Sequence, residues 1–74
     1  MKAIILVYIQ GEERYVSGYY SNSINELEDK PLYLLSSKSR NKAFVFDTDK
    51  HGKLIGNIAR FLEDNKTYFL TKIL

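Results

Sequence analysis

The sequence predicts a small α+β domain: a mostly antiparallel sheet of three or four strands, ordered β-β-β-α-β, with one main helix across one face. Three observations carry that expectation. The opening run, residues 3–9, is almost wholly apolar and rich in β-branched residues. A second strand-like run, residues 14–20, follows a short polar turn. Further on, Leu54, Ile55, Ile58, Phe61 and Leu62 recur at helical spacing and form one stripe.

The continuous apolar run of residues 3–9 suits a strand buried on both faces, and hence central in its sheet. Gln10-Gly11-Glu12-Glu13 is a turn, so the first 20 residues form a hairpin with the strand over 14–20. Gly18, inside that strand, marks a bulge or a close approach of backbone. Residues 21–31 are polar and turn-prone. There Ser23 and Glu26 have capping-box spacing, consistent with one helical turn that Pro31 stops. Leu32-Tyr33-Leu34-Leu35 is a brief strand or a continuation of that segment. Residues 36–41 form an exposed loop.

Ala43-Phe44-Val45-Phe46 is the third clear strand. Thr48 is then a suitable helix N-cap, Asp49 suits the first turn, and Asn65 suits a left-handed C-terminal cap. A rival reading makes Lys50-His51-Gly52-Lys53 a hairpin turn, with Leu54-Ile55 as a strand and a shorter helix behind it. Residues 67–74 form the last strand. No repeat, linker or low-complexity tract divides the chain, and residues 1–74 read as one domain.

Composition excludes several classes of function. At 74 residues the chain is too short for the large enzyme architectures, and its core must be thin. It has no cysteine, which removes disulfides, thiolate zinc sites and cysteine nucleophiles together. The first residues resemble a secretory signal only superficially, because Gln10-Gly11-Glu12-Glu13 stands where a small-residue cleavage site would be. With no apolar run near the ~20 residues of a membrane span, a cytoplasmic location is expected. The net charge of +2 is uneven: −3 over residues 1–29 and +5 over residues 30–74. The second half could therefore face an acidic partner.

Motifs for chemistry are weak. Asp47, Asp49, Gly52 and Leu54 match positions 1, 3, 6 and 8 of a calcium-binding loop, but His51 takes an oxygen position and Ile58 stands where a bidentate Glu belongs. His51 with Asp47 or Asp49 could be drawn as a general base and its orienting carboxylate, yet no nucleophile or oxyanion site accompanies them. No metal, cofactor or catalytic residue is expected. Gly52, Gly56 and Ala59 read as small residues that let the helix sit close on the sheet.

Binding residues are better candidates. Six tyrosines exceed what so thin a core should bury, and tyrosine supplies broad contact area at little entropic cost. Tyr15, Tyr19 and Tyr20 are the expected partner-binding anchors, with Tyr15 and Tyr19 on one face of the second strand. Lys38, Arg40 and Lys42 would project together from an extended stretch as an electrostatic rim. That rim with the tyrosines would also suit nucleic acid, the alternative partner. A free edge strand or sheet face makes a homodimer a third option.

The hairpin, then Ala43-Phe44-Val45-Phe46-Asp47-Thr48, then Ile55-Gly56 and Ala59-Arg60-Phe61-Leu62 before a terminal strand, resembles the layout of small phage and prophage accessory proteins. That loose group includes inhibitors of the anti-CRISPR kind. The resemblance spans most of the chain and transfers no functional residue. Its implication is a non-enzymatic, protein-binding inhibitor of a host defence nuclease complex, acting in the bacterial cytoplasm on a host protein or nucleoprotein.

Overall fold

A computed structural model describes residues 1–21 and 31–74. It contains β1 (Lys2–Ile9), β2 (Glu12–Ser21), β3 (Pro31–Ser37), a 3-10 turn (Arg40–Lys42), β4 (Phe46–Asp47), α1 (Gly52–Asp64) and β5 (Tyr68–Ile73). This is the expected α+β class, an antiparallel sheet with one helix. The capping-box turn expected near Ser23 falls outside the described residues.

β1 is central, as its apolar run requires. Ala3, Ile4, Ile5, Leu6 and Val7 are all buried. On one edge β1 pairs along nearly its whole length with β5, from Ala3↔Ile73 to Tyr8↔Tyr68. Its other edge is shared: Leu6 to Ile9 pair with β2, whereas Lys2 and Ala3 pair with β4. β2 leaves β1 after Tyr15, and the chain of residues 44–47 takes its place, held by a 2.9 Å bond from the Phe44 amide to the Val16 carbonyl. β2 continues outward with β3 as its partner.

The β1–β2 turn is tighter than the four residues expected. Only Gln10 and Gly11 lie between the strands, with φ of 53° and 80°. Two consecutive positive φ values are those of a type I′ turn, whose twist matches that of a hairpin. Strand lengths also differ from expectation. β3 is a full strand of seven residues, while the segment over 43–46 yields a β4 of only two.

The helix begins later than Thr48. Asp47 accepts the amides of Asp49 (3.0 Å) and Lys50 (3.4 Å) at Oδ1, and its carbonyl accepts the His51 amide at 2.7 Å. That closed turn occupies residues 47–50, so His51 is the N-cap and Gly52 the first helical residue. Leu54-Ile55 is helical, which excludes the rival hairpin. At the other end Asn65 is not left-handed (φ −91°); Lys66 is, at φ 55°. The Lys66 amide donates to Glu63 and the Thr67 amide to Leu62, a Schellman closure one residue later than expected. Asn65 contributes through its side chain, which donates to the Phe61 carbonyl at 2.7 Å.

Leu54, Ile58 and Leu62, four residues apart, are the buried line of α1. They meet Ile5, Val7, Val16 and Phe46 in one core, flanked by Tyr19, Leu34, Phe44, Ile55, Phe61 and Phe69. Burying a side chain such as Phe46 or Ile58 contributes about 1.5–3 kcal/mol. Gly52 and Gly56 do not serve close packing: a Cβ at either would meet nothing within 4 Å, because both face solvent.

Candidate protein-binding face

The helix covers one face of the sheet; on the other, Ile4 and Leu6 are buried while Tyr20, Tyr33 and Tyr68 are exposed. Residues directly opposite across strands share a face, so the register assigns each side chain. Ile5 and Val7 belong to the helix-side core, and hence Ile4, Leu6 and Tyr8 point to the outer face. Their partners follow them outward: Tyr15 and Glu13 on β2, and Tyr68, Leu70 and Lys72 on β5.

A bulge in β2 decides the remaining tyrosines. Val16 pairs with Ser36 but Gly18 with Leu35, so Ser17 is an extra residue and the alternation slips there. Tyr15 and Tyr19 therefore face opposite sides rather than sharing one. Tyr19 turns inward, where its ring meets Phe44 edge-on at 5.7 Å. Tyr20 turns outward and lies 6.1 Å from Tyr33. Gly18 does not mark a close approach of backbone: an added Cβ would stand 3.4 Å from the Leu35 side chain, an ordinary packing distance.

The outer face thus carries Tyr8, Tyr15, Tyr20, Tyr33 and Tyr68. Tyr20, Tyr33 and Tyr68 are 61%, 57% and 69% exposed, and Leu70 on the same face is exposed too. Tyr8 and Tyr68 pack at 5.2 Å between centroids. The Tyr8 hydroxyl donates to Glu13 at 3.4 Å, and the negative charge of Glu13 raises the phenol above its ordinary value. Tyr8, Tyr33, Tyr68 and Leu70 were not among the residues singled out from sequence. The alternation of Tyr8 with Ile4 and Leu6 was a usable signal. Tyr33 was hidden because β3 did not stand out as a strand.

The basic residues do not form the expected rim. Lys38 pairs with Glu12 at 3.1 Å. Arg40 and Lys42 occupy the 3-10 turn, where the chain corners from β3 toward Val16. At three residues per turn, positions two apart point about 120° from one another, so the two side chains diverge. Arg14 is bound inward, donating to the Ser36 Oγ at 2.9 Å and to its carbonyl at 3.2 Å.

Around Asp47 the groups are committed to structure. Oδ2 accepts from Lys2 at 3.2 Å, and two backbone amides with that ammonium hold the carboxyl down to about 2. His51 receives the Asp47 amide on Nδ1 at 2.9 Å, not the carboxylate, and stands edge-on to Phe44 and Phe46. Among the described residues, no three His, Asp or Glu side chains gather as metal ligands. A cleft of about 260 Å³ opens between β3 and α1, lined among the described residues by apolar groups such as Leu34, Phe61 and Leu62.

Fold and site together define a two-layer α+β domain that presents an aromatic sheet face. No helix among the described residues is long and apolar enough to cross a membrane. Comparison with protein-family models, with curated proteins and with solved structures returns no match for this chain.

Proposed function

We propose that this chain is a non-enzymatic protein-binding module that engages a host protein or nucleoprotein complex through its outer sheet face. The observation that carries the reading is the outward placement of Tyr8, Tyr15, Tyr20, Tyr33 and Tyr68, with Tyr20, Tyr33 and Tyr68 more than half exposed. Exposed aromatic clusters of this kind supply the buried anchors of interfaces. The anchors are Tyr20 and Tyr68, with Tyr15 between them in the sheet, and Tyr19 acts through the core instead. Inhibition of a host defence nuclease in the bacterial cytoplasm is the specific form suggested by the resemblance to phage accessory proteins.

The test is capture from bacterial lysate with and without nuclease, followed by affinity measurement with the purified partner. Tyr20→Ala and Tyr68→Ala should each weaken binding by about tenfold or more, with the fold unchanged by circular dichroism. Capture that disappears with nuclease, and affinity that falls steeply with salt, would move the assignment to nucleic acid.

A further inference from the structure

The edge of β5 has chemistry of its own. The Leu74 amide donates to the Lys2 carbonyl at 2.8 Å, so Lys2 and Leu74 are a hydrogen-bonded pair of the β1–β5 ladder. In an antiparallel ladder such pairs alternate. Tyr68, Leu70 and Lys72 therefore turn their backbone groups toward β1, and Phe69, Thr71 and Ile73 turn theirs to the other edge. Among the described residues no strand pairs with that edge.

Natural edges are blunted by proline, bulges or several charges. β5 has none of these devices: its register with β1 is unbroken from Tyr68 to Ile73, and Lys72 is its single charge. Tyr68, Leu70 and Ile73 are exposed. The row of free amides and carbonyls fits another extended strand, and the side-chain pattern selects a second copy of this one.

We propose that two copies pair antiparallel through β5, about a two-fold axis at Leu70. Of the registers that keep both outer faces on one side, this one sets Leu70 against the partner's Leu70 and Lys72 against the partner's Tyr68. The ammonium then lies over an aromatic ring. Phe69 and the partner's Thr71 exchange backbone hydrogen bonds. A shift by one pair toward the C-terminus places Lys72 against leucine, and a shift by two sets Lys72 against its own copy, which like charges disfavour. The pairing consumes an edge and not a face, so the two aromatic surfaces join into one. It is independent of the proposed function, since it needs no other partner.

Sedimentation equilibrium over a wide range of concentration should show an average mass rising from the 8.6 kDa of one chain toward twice that value. Leu70→Lys, which puts two ammonium groups at the axis, should hold the chain monomeric. Thr71→Pro should do the same by deleting an outward amide while leaving the β1 ladder intact. In this register Leu70 is a non-hydrogen-bonded pair with its own copy, with Cα atoms about 4.5 Å apart, within reach of a disulfide. Because the chain has no cysteine, Leu70→Cys should cross-link to a dimer on oxidation, well ahead of Tyr68→Cys or Lys72→Cys. A mass that stays at one chain throughout overturns the proposal. So does a dimer that survives both Leu70→Lys and Thr71→Pro, or cross-linking that favours position 68 or 72.

Discussion

The backbone amide of Asp47 donates to Nδ1 of His51 at 2.9 Å, while the Asp47 carbonyl accepts the His51 amide at 2.7 Å. Each residue thus holds the other at the turn where β4 becomes α1. The imidazole accepts on Nδ1 and stands edge-on to Phe44 and Phe46. A pair that sequence spacing could draw as acid–base chemistry is a structural clasp in the fold.

Asp47 should make the protein sensitive to acid. Its carboxyl lies at about 2, lowered chiefly by the Asp49 amide, then by Lys2 and the Lys50 amide. A depressed folded value means that its stabilisation is complete above the ordinary carboxylate value of 3.8 and is lost as pH falls toward 2. Asp47→Asn should lower the melting temperature at neutral pH and flatten the decline between pH 4 and pH 2. Thermal melts across that range check it.

Tyr19 and Tyr20, neighbours on β2, should behave oppositely. Tyr19→Ala removes a ring packed on Phe44 and should destabilise the fold by about 2 kcal/mol, as large-to-small changes in partly buried sites do. Tyr20→Ala removes an exposed ring and should cost less than about 1 kcal/mol. Urea unfolding of the two variants separates them.

Backbone strain and helix propensity offer two stabilising changes. Lys66 holds a left-handed φ of 55° that closes α1, and Lys66→Gly should add about 0.5–1 kcal/mol. Gly56 lies within α1 with open space around it, and Gly56→Ala should add a similar amount, about 0.5–1 kcal/mol. The sites are far apart along the helix, so the double variant should show the sum in denaturant midpoints.

Alkaline titration should report the Tyr8–Glu13 contact. Glu13 disfavours the phenolate and raises the Tyr8 value. A raised folded value contributes stability that is complete below the unfolded value and is lost as pH rises through the folded one. Glu13→Gln should shift the Tyr8 titration down toward the ordinary 10.0, as followed by NMR of the tyrosine ring.

Much of the fold was legible in the chain. A central strand follows from a run apolar at both odd and even positions, and the inward line of α1 follows from Leu54, Ile58 and Leu62 alone. The bulge at Gly18 was also signalled, because glycine inside a strand weakens regular pairing. The weight of β3 over β4 was not. Ala43-Phe44-Val45-Phe46 reads as the clearer strand and Leu32-Tyr33-Leu34-Leu35 as the weaker one, yet the partner available to each decides its length. β3 has the outer edge of β2 from Tyr15 to Ser21, whereas β4 takes only Lys2 and Ala3 of the stretch of β1 that β2 leaves.

By itself the sequence determined the α+β class, the central strand, the buried stripe of the helix and an excess of tyrosine over what the core can take. Tertiary structure decided where those tyrosines point. One extra residue between Val16 and Gly18 reverses the alternation, sending Tyr19 to the core and Tyr20 to the surface. Composition cannot encode that reversal, because side-chain direction in a sheet depends on cross-strand register, and register is set by residues distant in sequence.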